Sequence, residues 1–150
     1  EKVFGSTIVW TVGIKGNHLS TKAGFKAEKG RVKINQYLQA PGFSEIFFIG
    51  DSSIYVDELG NEYPPTAQIA IQEGHHCAKN IVSLIRGTAL RPFKYRYRGT
   101  LMSLGRKNAA GVVYKLVVKG RIAAFLKKVT EWRYYLKLGG LKLFFKKMFI

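Results

Sequence analysis

The basic residues of this chain are concentrated in its last sixty positions. Residues 1–90 hold nine Lys or Arg and eight Asp or Glu, whereas residues 91–150 hold sixteen and one, so the net charges are +1 and +15. A field this one-sided attracts either nucleic acid or an anionic membrane surface, and charge alone does not decide between them. The two parts therefore differ in the surfaces that they attract, and we predict a domain boundary near Pro92, between residues 1–92 and 93–150.

Length, cysteine content and apolar runs bound the class of protein. A chain of 150 residues is long enough for one ordinary domain, or for the remainder of one plus a small second domain. The single cysteine, Cys77, excludes an internal disulfide and is expected to be a buried thiol. Its apolar runs fall short of the roughly 20 residues that span a bilayer, so crossing a membrane is not expected, whereas lying on one stays open. The start at Glu1 shows no signal-peptide pattern, which favours a cytosolic protein or an excised piece.

Three short runs in the first part have the composition of β-strands. Residues 7–12 and 31–34 are β-rich or alternating, and residues 46–49 are continuously apolar. The third run ends in Gly50 and Asp51, as expected for a strand buried on both faces of a sheet whose carboxyl end meets a ligand. Three strands are too few for a sheet of their own, so this part is predicted to be a piece of a larger α/β domain.

One long helix is predicted to follow. Two prolines precede it, Thr66 can cap its start, and Gly87 can end it. The residues that mark its faces at helical spacing are Ile69, Ala70, Glu73, Cys77, Ile81, Leu84 and Ile85. Adjacent His75 and His76 cannot share a helix face, so we interpret both as surface residues and predict no metal site.

The second part has the pattern of a small sheet followed by amphipathic helices. Residues 93–97, 100–104 and 112–118 are predicted strands of an antiparallel sheet. Residues 121–138 form a predicted helix, which Gly139-Gly140 breaks. Its apolar stripe consists of Ile122, Phe125, Leu126, Val129, Trp132 and Leu136. The tail beyond the break has an apolar face of Leu141, Phe144, Phe145 and Met148, with Lys142, Lys146 and Lys147 off that face.

Asp51 and the start of the long helix are the groups most suited to bind a ligand. An ionised Asp accepts hydrogen bonds, and the hydroxyls of a ribityl or ribose group donate them. The backbone amides of Ala67 and Gln68 lie at the positive end of the predicted helix, which suits an anionic group such as the edge of a reduced flavin. Each feature also has a plain structural interpretation. An Asp after Gly at a strand end is often a turn or cap residue, and Thr66 alone can satisfy the first amides.

Read together, these segments resemble a known family. The chain contains YPPTAQIAIQEG at 63–74, AKN at 78–80, PF at 92–93, GTL at 99–101 and LGR at 104–106, besides Gly50-Asp51 after an apolar run. This pattern is similar to the C-terminal half of type II NADH dehydrogenases, and AQxAxQ is its most specific element. The resemblance implies an α/β fold: the C-terminal remainder of a flavoprotein with two dinucleotide-binding domains, a small antiparallel sheet and amphipathic C-terminal helices.

The resemblance also implies a function and residue roles. The parent enzyme would oxidise NADH through FAD and reduce a quinone in the respiratory chain, as a peripheral protein on the cytoplasmic face of the cell membrane. The residues assigned to the FAD site are Gly50, Asp51, Ala67, Gln68 and Lys127, and those assigned to the quinone pocket are Gln68 and Gln72. Lys128 competes with Lys127 by a one-residue shift, and the resemblance leaves a homodimer open.

The pieces that such an enzyme needs for its dinucleotides are missing from this sequence. No GxGxxG turn occurs, so the fragment alone is expected to be inactive and to bind FAD weakly or not at all.

The tail favours a membrane over nucleic acid, because bulky apolar residues beside lysines suit a membrane interface. Its predicted membrane contacts are Leu141, Phe144, Phe145, Lys146, Lys147 and Met148. The alternative is a small, non-catalytic basic module that binds nucleic acid or a membrane surface.

Overall fold

A computed structural model describes residues 2, 4–11 and 13–148 and divides them into two compact units, one up to Tyr95 and one from Arg96. Together they are mixed α/β, as the sequence predicts, with two small sheets where one was predicted and a long C-terminal helix. The units separate three residues beyond the predicted boundary at residue 92. The resemblance implies that residues 1–92 are the C-terminal part of an FAD/NAD-binding region and that residues 93–150 are a membrane-associating domain, and both assignments stay predictions.

The sheet of the first unit has three very short strands. Strands β1 (Ala27–Glu28) and β2 (Arg31–Lys33) pair antiparallel, and β2 pairs in parallel with β3 (Ser53–Ile54). A single-turn helix, α1 (Leu19–Lys22), precedes them. The predicted strand at residues 31–34 is therefore confirmed.

The other two predicted strands of this unit are wrong. Residues 7–11 form no strand, and Trp10 is 80% exposed; Val12 lies outside the described residues. The run at residues 46–49 is half-buried to exposed and forms one isolated β-bridge, between Phe47 and Gln39, while Phe47 and Phe48 pack against the core. Two backbone hydrogen bonds flank this bridge, from the Ala40 amide to the Ile46 carbonyl and from the Phe48 amide to the Leu38 carbonyl, so the pairing is only a few residues long.

Helix α2 (Ala67–Ile85) agrees with the prediction at both ends. The Thr66 hydroxyl accepts a hydrogen bond from the Ile69 amide at 3.4 Å, and Gly87, at φ +66°, follows the last turn. Its buried face consists of Ile69, Glu73, Cys77 and Asn80. Ile81, Leu84 and Ile85, which also mark the faces of this helix in the sequence, are exposed.

The core of the first unit is aromatic and includes Cys77. It is formed by Ile34, Leu38, Tyr55, Cys77 and Phe93, with Phe47, Phe48, Tyr63 and Tyr95 packed against them. The Tyr55 hydroxyl donates to the Phe93 carbonyl at 3.0 Å, which satisfies a polar group inside this cluster. Burial raises the pKa of the Cys77 thiol, so the predicted buried thiol is confirmed.

In the second unit, strands β4 (Gly99–Leu104), β5 (Asn108–Val113) and β6 (Leu116–Lys119) form an antiparallel meander. The predicted strand at 100–104 is confirmed. The one predicted at 93–97 is wrong, because Phe93 is used in the first core. The single strand predicted at 112–118 is two strands joined by Tyr114-Lys115, where Tyr114 has a φ of +54°. That turn lacks the usual Gly or Asn signal, so the composition does not reveal it.

Helix α3 (Gly120–Met148) is two helices merged across the predicted break. Gly140 has φ +62° and ψ −159°, a conformation that is essentially restricted to glycine. The first segment packs on β5 through Ala123, whereas Ile122 and Phe125 of the predicted apolar stripe are 71% and 58% exposed. Within the residues described, no helix is long and apolar enough to cross a bilayer.

Candidate functional site

Gly50 and Asp51 form the start of a 3₁₀ turn (Gly50–Ser52) that packs against the first turns of α2. Gly50 has φ +64°, and a Cβ there would lie 3.3 Å from the Cβ of Ala70, so glycine allows both the turn and the close approach. Asp51 follows with its side chain exposed. The structure thus brings the predicted Gly50-Asp51 turn next to the helix that carries Ala67 and Gln68.

Glu73 holds this turn on α2. Its side chain is 1% exposed, and its Oε2 accepts a hydrogen bond from the Gly50 amide at 2.5 Å. Burial is the largest effect on this carboxyl and raises its pKa, against the lowering effects of the Gly50 amide and of Arg31. Arg31 in turn donates to the Ser53 carbonyl at 3.0 Å. Glu73 therefore fixes the position of the Gly50-Asp51 turn on α2.

We expect Glu73→Ala to lower the local unfolding free energy of α2 by about 1–3 kcal/mol, since it leaves the Gly50 amide buried without its acceptor. The pKa of Glu73 is raised in the folded state, so around this pKa the folded state binds more protons than the unfolded state. Stability is therefore highest below the ordinary pKa of a glutamate and falls as pH rises through the native pKa. Glu73→Gln keeps an acceptor oxygen without the charge and should flatten this fall.

Hydrogen exchange of α2 peptides between pH 4 and 8 measures both effects, because it reports opening of one segment. The exposed Glu28→Gln removes the same charge and serves as control. An unchanged pH dependence in Glu73→Gln would contradict the assignment.

Gln68 and Gln72 lie one turn apart on α2, in half-buried positions. The Tyr95 hydroxyl donates to Gln68 Oε1 at 3.1 Å, and Gln72 Nε2 donates to the Gln68 carbonyl at 3.4 Å. Tyr95 packs on Tyr63 with ring centroids 5.2 Å apart. The first polar residue of AQxAxQ is thus oriented by an aromatic pair, and Ala67, before it, is exposed at the positive end of the helix.

Asn80 and His76 connect α2 to Tyr37 and Arg91 by hydrogen bonds, a role that the sequence alone did not reveal. Asn80 is buried and makes three hydrogen bonds, to the Tyr37 carbonyl at 3.3 Å and to the carbonyl and amide of Arg91 at 3.0 Å each. His76 Nε2 also donates to the Arg91 carbonyl at 2.7 Å, and its ring meets Phe93 edge-on. His76 is half-buried and its hydrogen bond to Arg91 is exposed, so it lies near the surface as predicted, and His75 is exposed. The missed signal was polar residues on the buried face of α2.

Lys127 lies in the second unit, half-buried on α3, and its Nζ donates to Ser103 Oγ at 2.7 Å. This bond fixes the side chain on the sheet, while Lys128 beside it is exposed. The role of Lys127 toward a flavin stays a prediction.

The tail presents apolar and basic residues together. Leu141 is 66% exposed and Phe145 and Met148 are exposed, while Phe144 is half-buried and packs edge-on against Trp132. Lys146 and Lys147 are exposed in the last turn. In the part of the chain that the structure describes, no group of three His, Cys, Asp or Glu side chains is arranged to hold a metal ion.

Comparisons with known proteins place this geometry in context. No family model matches the chain. The type II NADH:quinone oxidoreductase of Staphylococcus epidermidis is 43% identical over 149 residues, that of Staphylococcus saprophyticus 40% and one of Staphylococcus aureus 38%. Each alignment covers 98% of the chain but 37% of the relative, so the chain spans little more than a third of these proteins.

Solved structures agree at the level of the fold. NDH2 from Plasmodium falciparum in complex with RYL-552 superposes with a TM-score of 0.63 at 15% identity, over 77% of this chain and 38% of that one. The same protein in complex with NADH gives 0.60 at 16% identity, over 77% and 37%. The chain is therefore homologous to the type II NADH:quinone oxidoreductases and corresponds to a C-terminal part that makes up about 37% of them.

Proposed function

We propose that this chain supplies the FAD-facing and quinone-facing part of an NADH:quinone oxidoreductase, together with its contact to the membrane. The observation that carries the proposal is the identity of 43% over 98% of the chain, in a segment where Glu73 joins the Gly50-Asp51 turn to α2. The complete activity needs dinucleotide-binding turns that this sequence lacks.

The residues of the first unit fit a flavin. The exposed carboxylate of Asp51 can accept hydrogen bonds from ribityl hydroxyls, and the start of α2 at Ala67 and Gln68 offers partial positive charge to an anionic ring edge. FAD, when bound, supplies the hydride and electron transfer between NADH and quinone. Gln68, oriented by Tyr95, and Gln72 would donate or accept hydrogen bonds at the quinone. Lys127 belongs to the second unit, and the family resemblance alone assigns its positive charge to the flavin.

The second unit would dock the enzyme to an anionic membrane surface. Exposed Leu141, Phe145 and Met148 provide apolar area, and Lys146 and Lys147 provide charge, each worth roughly 1 kcal/mol near such a surface. The same exposed apolar residues argue against the nucleic-acid alternative, for which they would be a liability. Docking to a membrane suits an enzyme whose quinone substrate is dissolved in lipid.

The proposal is tested by replacing the matching 37% of the Staphylococcus epidermidis enzyme with this chain. We expect the chimera to purify with stoichiometric flavin and to oxidise NADH in a quinone-dependent reaction, because the replaced part would restore the flavin contacts. The same replacement with the Staphylococcus saprophyticus segment controls for the junction. If that control is active while the chimera with this chain folds without flavin, the proposal is wrong.

A further inference from the structure

Glu73 is a buried acid in the first unit, and its side chain is 1% exposed. A buried carboxyl is uncommon unless a cation pairs with it, because water no longer solvates its charge. Its hydrogen-bond partners are neutral, the Gly50 amide and the Ser53 hydroxyl. Arg31 lowers the pKa of Glu73 but forms its ion pair with Glu62, at 3.0 Å. The surroundings of Glu73 therefore suit a group that binds a proton better than one with a permanent charge.

A cavity of about 10 Å³ is lined by Glu73. This is close to the volume that one water molecule needs, and a buried water also needs a few polar partners. The side chains of Arg31, Tyr55 and Tyr63 line the same cavity. Arg31 pairs with the exposed Glu62, so its side chain reaches from the cavity toward the surface. A water in this cavity would connect the Glu73 carboxyl to a group that reaches the solvent.

The same cavity meets the start of α2. Thr66 lines it, and Ala67 and Gln68, which are assigned to the flavin, follow Thr66 directly. Gln72, which is assigned with Gln68 to the quinone, is the residue before Glu73. The buried acid and its cavity thus lie next to the residues that are proposed to contact the cofactor and the quinone.

The proposed reaction consumes a proton that NADH does not supply. NADH transfers a hydride, which carries two electrons and one proton, whereas a quinone takes up two electrons and two protons to become a quinol. One proton in each turnover therefore comes from water. The hydride also brings a negative charge into the site, and a nearby negative charge favours the protonated form of an acid.

We propose that Glu73 binds this solvent proton when NADH delivers its hydride and releases it when the quinone is reduced. The O–H bond of the carboxyl forms with a proton from water, and it breaks as the proton passes through the cavity to a quinone oxygen. NADH supplies both electrons, so NADH, one proton and a quinone give NAD⁺ and a quinol. The inference rests on the proposed function and deepens it, because it assigns the source of the second proton.

The groups around Glu73 determine when it holds the proton. Its charged or titratable neighbours are Arg31, Asp51, Tyr55, Tyr63 and Cys77. Burial is the largest effect on the pKa of Glu73 and raises it, as Asp51 does, whereas Arg31 lowers it. The pKa values of Tyr55, Tyr63 and Cys77 are raised from values that are already alkaline, so these three groups keep their protons near neutral pH.

The first test measures proton uptake when the flavin-containing chimera with the Staphylococcus epidermidis enzyme is reduced by one equivalent of NADH. The reaction is run without oxygen or quinone, in weak buffer with a pH indicator. We expect an uptake that approaches about one proton per flavin at its optimal pH and that falls at least about twofold in Glu73→Gln. This variant keeps an acceptor for the Gly50 amide but binds no proton. The exposed Glu45→Gln removes the same charge and should leave the uptake unchanged.

The second test separates the two halves of the reaction by rapid mixing. Glu73→Gln should slow electron transfer to a soluble quinone about tenfold or more, because the proton donor is lost. Reduction by NADH should change less than about twofold, since it needs no solvent proton. Glu73→Asp restores a proton-binding carboxyl and should recover part of both the uptake and the rate. A purely structural role would slow both halves or lower the flavin content.

The outcomes distinguish this inference from the proposed function. If Glu73→Gln contains flavin and takes up as many protons as the unaltered chimera, the inference is wrong and the proposed function stands. A titration of the Glu73 carboxyl carbon by NMR in the whole chain, without flavin, gives a further check. A pKa in the ordinary range of a glutamate would also overturn the inference alone. A chimera that folds without flavin overturns the proposed function and, with it, the inference.

Discussion

Replacing Asn80 by alanine is expected to lower the unfolding free energy of the first unit by roughly 3 kcal/mol. The change removes three part-buried hydrogen bonds, so the Tyr37 carbonyl and the Arg91 amide lose their protein partner. His76 still serves the Arg91 carbonyl, which keeps the loss below the full value for three groups. Because Arg91 precedes the segment that delivers Phe93 to the core, the effect should spread beyond α2.

Hydrogen exchange resolved by peptide measures this effect separately in each unit. Protection of the α2 and Phe93 peptides should fall by about two orders of magnitude, while the β4–β6 peptides of the second unit stay unchanged. The neighbouring, exposed Lys79→Ala serves as control and should stay within about 0.5 kcal/mol. A similarly small change in Asn80→Ala would contradict the stabilising role of the Asn80 hydrogen bonds.

Helix α2 was predictable because its signals are local. Proline, a capping Thr66 and the closing Gly87 act within a few residues of the helix ends, and the structure has its boundaries where they indicate. The functions of its buried polar residues were not predictable in the same way. Glu73 and Asn80 make bonds to segments more than ten residues away, and no spacing rule reveals such partners.

The predicted strands divide according to whether a partner strand exists. Residues 31–34 and 100–104 have neighbours to pair with, and both are strands. Residues 46–49 and 93–97 have equally apolar or aromatic composition, but the first meets a single bridge and the second is drawn into an aromatic core. Strand propensity describes how well a side chain suits a half-buried sheet. Whether a sheet forms depends on a partner strand from elsewhere in the chain.

The candidate site was predicted mainly through the family resemblance. Asp51 and the start of α2 are only modest signals by themselves, since each has an ordinary structural interpretation. The structure adds the physical connection, in which the Gly50 amide, the Ala70 contact and Glu73 hold the turn on the helix. The homology to NADH:quinone oxidoreductases agrees with the resemblance, and the individual roles of Gln68, Gln72 and Lys127 stay predictions.

Asp51→Asn is expected to weaken flavin binding by roughly tenfold to a hundredfold in the chimera that carries this chain. A hydrogen bond from a sugar hydroxyl to a carboxylate contributes about 1.5–3 kcal/mol, and an amide retains one neutral acceptor in the same place. Asp51 is exposed on a turn that Glu73 holds through Gly50, so the change should leave the fold intact. The exposed Glu45→Gln, six residues upstream, removes the same charge and should leave flavin binding unchanged.

Whether the Gly50-Asp51 turn holds the flavin is measured by the flavin-to-protein ratio of these chimeras after dialysis, read from the flavin absorbance. We expect a stoichiometric ratio for the unaltered chain and for Glu45→Gln, and a ratio several-fold lower for folded Asp51→Asn. Full flavin retention in Asp51→Asn would contradict the claim that the Gly50-Asp51 turn on α2 holds the cofactor.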